Sequence, residues 1–588
     1  MGKDYSKLSK EDLLKIIARL ESSKRYGLVW DQEHTRERFE AEAEDAIPVL
    51  SEVREKKIVT NGDGPANILI EGDNYHSLSV LNYTHREKID AIFIDPPYNT
   101  GKKDFRYNDT YVDLEDTYRH SKWLSFMSKR LLLSKSLLKE DGVIFISIGD
   151  DEVSQLRLLC DDIFSEKNYI TTFIWEKTQH FGRQKINFYS NADYILCYAK
   201  RLNAPQSASD RGTSVQLKEL LVQRIQDEFE DAPLYNASNR VNTTVFPAGS
   251  VRMDIPDGKY SGTTDPKYEL LDTVRVKKHT NAGELRLKFR SRWSQDTVNQ
   301  QLITGTRFWV KTENFAIRAV YGTGKVFNDS PKQIIFTNEN NEFCARSRFC
   351  SKVGVNEEAT SELKAMLGDQ TIFNYPKPRT LIEYLLSLLY DPFDGAYRKD
   401  LTILDFFAGS GTTGHAVLSM NAMDGGTRSF ILCTDNEEGI CSDVCYPRIK
   451  TAIEGYGGIG GLGGNLRYFQ TSFVKKSLCQ DDLKTRLAAK CTELLCLREG
   501  IFDERATGNG YRIFEQAGRV LAVYYAMDPG GLGALKRRLD KMHGKKVLYC
   551  FTLDPLGLDE HNFDNWTGVR LEPIPQQILD IYEDIHEH

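Results

Sequence analysis

Ala91-Ile92-Phe93-Ile94-Asp95-Pro96-Pro97-Tyr98 is a short apolar run that ends in a carboxylate, two prolines and an aromatic ring. The apolar residues predict a buried strand of a parallel sheet, which the prolines end because proline has no N–H to donate and enters a helix poorly. Asp95 and Tyr98 are therefore expected at a strand tip, where open α/β sheets bind ligands. The stiff backbone leaves carbonyl oxygens that can accept hydrogen bonds from the N–H groups of a planar amine. The ring of Tyr98 would then stack on the face of that planar group. Taken alone, the tetrapeptide also fits a turn that merely closes a strand.

Length and composition narrow the class of protein. A chain of 588 residues is too long for one hydrophobic core, so we expect two to four domains. The net charge of −7 argues against a protein that coats nucleic acid over its whole surface. No apolar run approaches the roughly 18 residues of a membrane span, and no signal-peptide core is visible, so we expect a cytoplasmic protein without membrane contact. The eleven cysteines lack Cys-x-x-Cys spacing with a nearby histidine, which predicts reduced thiols and no metal.

Other predicted strands also end in acids or in a glycine turn. Asp73 follows one such strand and is expected at the same sheet edge as Asp95. Residues 401–406 predict a strand that runs into Ala408-Gly409-Ser410-Gly411-Thr412-Thr413-Gly414 and then a helix. Such a turn lets the backbone approach a cofactor and presents helix N–H groups to it. Asp435 follows the next strand, where an acid can hold two ribose hydroxyls, so these features predict a nucleoside-containing cofactor.

Residues 204–368 interrupt the α/β pattern, with weaker periodicity and frequent glycine. Between Arg240 and Lys325 there are 15 Lys or Arg residues against 8 Asp or Glu, an excess of 7. Basic side chains interleaved with Phe289 and Trp293 are typical of surfaces that attract a phosphate backbone. A solvated strand face would give the same pattern.

Two motifs in a fixed order now carry a resemblance. Asp95-Pro96-Pro97-Tyr98, followed much later by Phe407-Ala408-Gly409-Ser410-Gly411-Thr412, resembles the β class of amino-group DNA methyltransferases, in which the catalytic motif precedes the cofactor motif. The resemblance covers roughly residues 65–200 and 370–470. Tyr98-Asn99-Thr100-Gly101 and Tyr118-Arg119-His120-Ser121-Lys122-Trp123-Leu124 are similar to the modification subunits of type III restriction-modification systems and their solitary relatives.

The resemblance implies the fold class and the domains. It implies an α/β fold: a Rossmann-like S-adenosylmethionine-dependent methyltransferase sheet with an inserted target-recognition domain and a C-terminal α/β domain. The expected segments are an N-terminal helical segment (1–60), the catalytic half of the methyltransferase domain (61–203), the target-recognition domain (204–368), the cofactor-binding half (369–465) and the C-terminal domain (466–588).

The resemblance also implies residue roles. The corner formed by Asp95, Pro96, Pro97 and Tyr98 would be catalytic, with Asp95 and Tyr98 holding a flipped adenine. S-adenosylmethionine would be bound by the loop and acids of the second half and by one acid of the first, namely Asp405, Phe407, Gly409, Gly411, Thr412, Asp435, Lys377 and Asp73. Glu437 is a rival of Asp435 for the ribose, because the segment departs from the usual Glu-bearing pattern. Lys377 lies in Tyr375-Pro376-Lys377-Pro378, which resembles the segment that leads to the methionine end of the cofactor.

The function implied is transfer of a methyl group to the N6 amine of adenine in double-stranded DNA, within a restriction-modification or other defence system. A homodimer and a restriction subunit with helicase and nuclease activity are the expected partners. Methylation of RNA, protein glutamine or cytosine N4 is an alternative, although the cytosine enzymes usually carry Ser in place of Asp95. A non-catalytic DNA specificity subunit is another, and would be favoured by damaged motifs.

Overall fold

A computed structural model describes most of the chain. The described residues are 28–31, 35, 37 and 45–587, except for 61–63, 103, 109, 179–189, 206–213, 217–221, 226–229, 322–325, 330, 332, 336–346, 369–372, 374, 390–397, 478, 527–528, 554–557, 559–562 and 564. They form two compact units, the first made of residues 1–220 with 331–588 and the second of residues 221–330. Residues 1–27 of the expected N-terminal helical segment lie outside the described residues.

A ten-stranded sheet is the centre of the first unit. Its strands in chain order are β1 (Ala46–Glu52), β2 (Ala66–Glu71), β3 (Ile89–Ile94), β4 (Leu138–Ile148), β5 (Tyr169–Glu176), β6 (Ala192–Ala199), β7 (Ile334–Ile335), β8 (Thr402–Asp405), β9 (Ser429–Thr434) and β10 (Asn465–Lys475). Their spatial order is β1-β10-β2-β9-β8-β3-β4-β6-β5-β7. The six neighbours from β10 to β4 run parallel, whereas β6 is antiparallel to β4 and β5. This is the Rossmann-like α/β sheet that the sequence predicted.

The direct pairing of β3 with β8 unites the two motifs. Leu404 lies opposite Ile92 in this parallel pair, although the two strands are separated by more than half of the chain. All six residues of β3 are buried, which explains its unbroken apolar run. From β3 the chain moves outward to β4, and from β8 it moves the other way to β9. The sheet therefore reverses its strand order between β3 and β8, where ligands of open α/β sheets bind.

Helices alternate with the strands of the first unit along the chain. They are α1 (Asn74–Thr84), α2 (Arg119–Leu137), α3 (Val153–Cys160), α4 (Asn356–Leu367), α5 (Arg379–Ser387), α6 (Thr412–Asp424), α7 (Tyr446–Glu454), α8 (Gln480–Lys490), α9 (Thr492–Glu499), α10 (Leu532–Leu539) and α11 (Gln576–Glu587). Among the helices that the structure describes, none is long and apolar enough to cross a membrane.

The C-terminal region shares its core with the central sheet. Its five strands, Glu504–Gly508, Tyr511–Gln516, Arg519–Tyr524, Lys545–Phe551 and Val569–Ile574, form a separate sheet. One face of that sheet belongs to the same apolar cluster as β1 and α1, through residues such as Leu521 and Ile574. The Tyr582 hydroxyl also donates to the Pro48 carbonyl of β1. Residues 466–588 are thus part of the first unit.

The observed secondary structure differs from the predicted domain segments near both ends of the methyltransferase domain. β1 lies inside the expected N-terminal helical segment 1–60. It is a strand there, and it pairs with β10, which is distant in the sequence. β10 itself crosses the expected boundary at 465, since it lies between β1 and β2 in the central sheet. Just before this strand, Gly455–Tyr456 and Ile459–Gly460 form a tight hairpin that leads into β10.

The second unit is built from short antiparallel strands. A seven-stranded sheet contains Glu230–Pro233, Val251–Met253, Gly258–Tyr260, Val274–Lys277, Thr280–Asn281, Arg307–Val310 and Ile317–Tyr321. A three-stranded sheet contains Asn242–Phe246, Glu269–Leu270 and Leu285–Phe289, a helix spans Gln295–Ile303, and Val222–Ile225 pairs with Val326–Asp329. This unit has its own apolar core, which includes Phe246, Leu287 and Phe308. The unit is shorter at both ends than the insertion expected at 204–368.

Candidate active site

The Asp95 carboxylate lies at the tip of β3 with its two oxygens in different environments. Oδ2 accepts a 2.7 Å hydrogen bond from the ammonium of Lys377, whose side chain is 8% exposed. Oδ1 is buried and has no hydrogen-bond partner among the described residues. A buried carboxylate oxygen without a partner is unfavourable unless a donor arrives, so this atom is a ready acceptor for a ligand N–H.

The rest of the proline corner is fixed by neighbouring elements. The Pro97 carbonyl accepts a 2.7 Å bond from the indole of Trp123 in α2. The Tyr98 hydroxyl lies 2.8 Å from the Ser147 hydroxyl and donates to Asp193 at 3.1 Å. Burial raises the pKa of Tyr98 well above its ordinary value, and the charges of Asp95 and Asp193 act in the same direction. Tyr98 is therefore a neutral phenol held at its hydroxyl end.

The glycine turn after β8 begins with a buried acid. Asp405 accepts from the backbone N–H of Phe407 at 3.0 Å and from the Thr413 hydroxyl at 2.5 Å. Burial raises its pKa to about 7, and the charge of Asp95 adds to the rise. The carboxyl group thus ties the start of the turn to the first turn of α6.

The two glycines of the turn have left-handed backbone conformations. The φ angle is +49° at Gly409 and +77° at Gly411. A Cβ at Gly409 would lie 3.1 Å from the Phe373 ring, and one at Gly411 would lie 3.1 Å from the Cys445 sulfur. Both the backbone conformation and the close neighbours therefore require glycine.

A buried ionic network supports the turn from behind. The guanidinium of Arg448, fully buried in α7, donates to the hydroxyls of Ser410 and Thr412 at 3.1 and 2.6 Å. It also donates to Glu362 of α4 at 3.0 Å. Thr412 is thus tied into the protein through its side chain, which leaves its backbone N–H at the start of α6 as the group that can face a ligand.

Asp73 and the start of α1 lie next to the glycine turn. Asp73 caps α1 by accepting from the backbone N–H of Tyr75 at 2.7 Å, and its second oxygen lies 3.4 Å from Arg130. The neighbouring Asn74 amide donates to the Phe406 carbonyl at 2.9 Å. The end of β2 and the glycine turn are therefore joined directly.

The two candidate ribose acids lie in one turn after β9. Asp435 is exposed and accepts from the Glu437 backbone N–H at 3.1 Å. The Glu437 carboxylate forms a 2.7 Å ion pair with Arg106, which also contacts Glu438 at 2.9 Å. Of the two acids, Asp435 is the one whose carboxylate has no cationic partner among the described residues.

Sequence reasoning missed several residues that hold the corner. Glu152 is fully buried and lies 2.5 Å from the Asn99 amide and 2.6 Å from the His120 ring. Glu152 is the residue that directly precedes α3. Asp193, which binds Tyr98 and pairs with Lys177 at 2.7 Å, was also missed. Neither residue lies in a recognisable pattern, because each reaches the site through the pairing of distant strands.

The chain is similar to known DNA methyltransferases. The model of a DNA methylase family, the N6/N4 methyltransferases, matches residues 89–444. The type III restriction-modification enzyme StyLTI Mod subunit of Salmonella typhimurium is 30% identical over 412 residues, which are 66% of this chain and 56% of the relative. The type II methyltransferase M.KpnI of Klebsiella pneumoniae is 28% identical over 388 residues, which are 65% of this chain and 84% of the relative.

The solved structure of PvuII DNA methyltransferase, described as cytosine-N4-specific, matches 66% of this chain and 90% of its own, with 11% identity and a TM-score of 0.29. The chain spans little more than half of the length of the Mod subunit that it matches. The family match covers residues 89–444, which are more than half of the chain and include both motifs. The protein is therefore a member of the N6/N4 DNA methylase family.

Proposed function

We propose that this protein transfers a methyl group from S-adenosylmethionine to the N6 amine of an adenine flipped out of duplex DNA. The observation that carries the proposal is the adjacency of β3 and β8, which joins the Asp95 corner to the glycine turn. The buried Oδ1 of Asp95, which has no hydrogen-bond partner among the described residues, lies at the end of the strand next to a turn whose glycines have left-handed backbone conformations. An amine acceptor and a cofactor cradle are thus side by side.

The residues around the crevice fit S-adenosylmethionine. We assign the turn from Phe407 to Thr412 and the capping acid Asp73 to its binding, with Asp435 holding the ribose hydroxyls. Gly409 and Gly411 fit this role because a Cβ at either position would meet a neighbour at 3.1 Å. When bound, this cofactor supplies an electrophilic methyl group on a sulfonium.

The corner is suited to an aromatic amine. Asp95 Oδ1 and the Pro96 carbonyl would accept hydrogen bonds from the two N–H groups of adenine N6. These bonds would draw the nitrogen lone pair out of conjugation with the ring. Tyr98, fixed through its hydroxyl, offers a ring for the base to stack on and so offsets part of the cost of extruding it. As the nitrogen gains the methyl group it loses one proton, for which Asp95 Oδ1 is the nearest acceptor. Positioning and electrostatics supply most of the rate, without a strong base.

The second unit is our candidate for DNA contact and target recognition. In the strand Val274–Lys277 the valines are buried, whereas Arg275 and Lys277 are exposed. In the strand Leu285–Phe289 the exposed Arg286 and Lys288 pair with Asp272 and Glu269 at 3.2 and 2.9 Å. Part of the basic excess is therefore neutralised within the unit, and Arg275 and Lys277 are the stronger candidates for phosphate contacts.

The names of the relatives suggest the biological setting. We propose that the chain is a cytoplasmic modification subunit of a type III-like system, that it forms a homodimer, and that it can associate with a separate restriction subunit. The match to a type III Mod subunit supports this assignment. Light scattering of the purified chain would measure its mass. A mass of 67 kDa, that of the single chain, would contradict the homodimer.

The activity itself is tested by transfer of a labelled methyl group. The full chain is incubated with labelled S-adenosylmethionine and either mixed-sequence duplex DNA or structured RNA. We expect label in the DNA and none in the RNA. Label in RNA alone, or in neither while the cofactor binds, would refute the proposal.

A further inference from the structure

The segment before α5 brings a lysine to the catalytic corner. Lys377 lies between Pro376 and Pro378, and Pro378 is the residue that directly precedes α5. The prolines restrict the backbone on both sides of the lysine. Its ammonium lies 5.1 Å from the centre of the Tyr98 ring and 6.0 Å from that of Trp175. Two aromatic rings therefore lie near a largely buried ammonium group.

The ion pair determines which oxygen of Asp95 is available. The carboxylate lies at a strand tip and can rotate about its terminal bond, since that torsion has broad minima. The 2.7 Å bond from Lys377 holds Oδ2, so that Oδ1 is left without a partner among the described residues. Asp193, the next carboxylate at the site, already pairs with Lys177 at 2.7 Å.

We propose that Lys377 is a positioning residue that orients Asp95 toward the substrate amine, and that it is not a cofactor ligand. This inference rests on the proposed function. It differs from the role implied by the sequence resemblance, in which Lys377 would contact the methionine end of S-adenosylmethionine. A positioning residue can be replaced with little change in cofactor affinity, whereas loss of a cofactor ligand lowers that affinity.

The test compares Lys377→Met, Lys377→Arg and the wild-type chain. Cofactor affinity is measured by titration calorimetry with S-adenosylmethionine, and methyl transfer to duplex DNA is measured in a single turnover with both substrates saturating. Misplacing a reacting group by about 1 Å costs about 100-fold in rate. We therefore expect Lys377→Met to lower the single-turnover rate by about 100-fold while the cofactor Kd changes less than 3-fold. Lys377→Arg keeps the cation and should recover at least a tenth of the wild-type rate.

Lys536→Met is the matched control. Lys536 forms an exposed ion pair with Asp540 in α10, at 2.8 Å, and lies outside the catalytic and binding machinery. Its loss should change neither the rate nor the cofactor Kd.

Two results would overturn the inference. One is a cofactor Kd raised 10-fold or more in Lys377→Met with a normal rate at saturation, which would make Lys377 a cofactor ligand. The other is an unchanged rate and Kd. If Lys377→Met does not fold, Lys377→Gln replaces it in the same comparison. Failure of the proposed function would look different, because the wild-type chain itself would then transfer no methyl group to DNA.

Discussion

At the scale of single residues, the site depends on an unequal treatment of two oxygen atoms. Asp95 Oδ2 is held by Lys377, whereas Oδ1 is buried and has no partner among the described residues. Tyr98 and Pro97 are likewise fixed by groups that do not belong to the motif, Asp193 and Trp123. In our proposal the four residues of the corner carry the chemistry, and their neighbours hold them in one geometry.

The first prediction concerns Asp95. Replacing Asp95 by Ala removes the acceptor of the substrate amine, and we expect the rate of methyl transfer to fall by about 1000-fold. Cofactor affinity should survive, because the glycine turn and Asp435 are untouched. Calorimetry and a single-turnover assay measure the two quantities. Asp150→Ala, which removes an exposed acid beyond the tip of β4, is the control. Loss of cofactor binding in Asp95→Ala would contradict the assigned role.

The second prediction concerns Asp405 and pH. Its pKa is raised by burial from 3.8 to about 7, so between pH 4 and 7 the folded protein keeps a proton that the unfolded chain has released. This group therefore stabilises the fold most below its unfolded pKa, and the contribution of up to about 4 kcal/mol is lost as the pH rises through 7.

Asp405→Asn has no such proton. The Tm of the wild-type chain minus that of Asp405→Asn should therefore decrease from pH 5 to about pH 7 and level off by pH 8. Asp150→Asn serves as the control for loss of a carboxylate at the sheet edge. A Tm difference that is constant or grows with pH would show that Asp405 is ionised throughout this range.

At the scale of elements, the glycine turn is where backbone conformation and function meet. Gly411 has a φ of +77° and would place a Cβ 3.1 Å from the Cys445 sulfur, whereas Gly425, at the end of the same helix, has a φ of +67° with open space around it. Both positions carry the backbone cost of a substitution, which is about 1 kcal/mol. Of the two, only Gly411 has a tight neighbour and lies in the turn that we propose binds the cofactor.

The third prediction follows from this pair. Gly411→Ala should weaken binding of S-adenosylmethionine by at least 10-fold, because the turn must shift to relieve the contact with Cys445. Gly425→Ala should lower stability with no change in cofactor affinity. Thermal unfolding and calorimetry of both variants separate the two effects. Equal cofactor affinity in the two variants would rule out the turn as a binding element.

The elements themselves were largely predictable from sequence, and their pairing was not. The strands at Ile89–Ile94 and Thr402–Asp405 were visible because each is an apolar run that ends in an acid or a glycine turn. The contact between Lys377 and Asp95, and the burial of Glu152, follow from which strands and loops become neighbours in space. A local pattern carries no information about such neighbours, so the roles of these residues needed the fold.

At the scale of the whole molecule, domain boundaries were the least predictable feature. The first unit combines residues 1–220 and 331–588, because β10, which is distant from β1 and β2 in the sequence, lies between these two strands in the sheet. The second unit, residues 221–330, has a separate core. The composition shift in the sequence located this unit but overestimated its length at both ends.

The fourth prediction concerns the second unit. Replacing both Arg275 and Lys277 by Ala removes two exposed cations, and we expect weaker DNA binding together with a shallower dependence of affinity on salt, by about two units of the logarithmic slope. Fluorescence anisotropy at several salt concentrations measures both. The control is Arg537→Ala with Arg538→Ala, two exposed cations of α10. An unchanged salt slope would mean that this strand does not contact the DNA backbone.

The chemical identity of the methylated base tests the central claim most directly. Duplex DNA incubated with the full chain and S-adenosylmethionine is digested to nucleosides and analysed by mass spectrometry, with Asp95→Ala in parallel. Our account predicts N6-methyladenine with the wild-type chain and none with the variant. Formation of N4-methylcytosine in its place, or N6-methyladenine at the same level with Asp95→Ala, would contradict it.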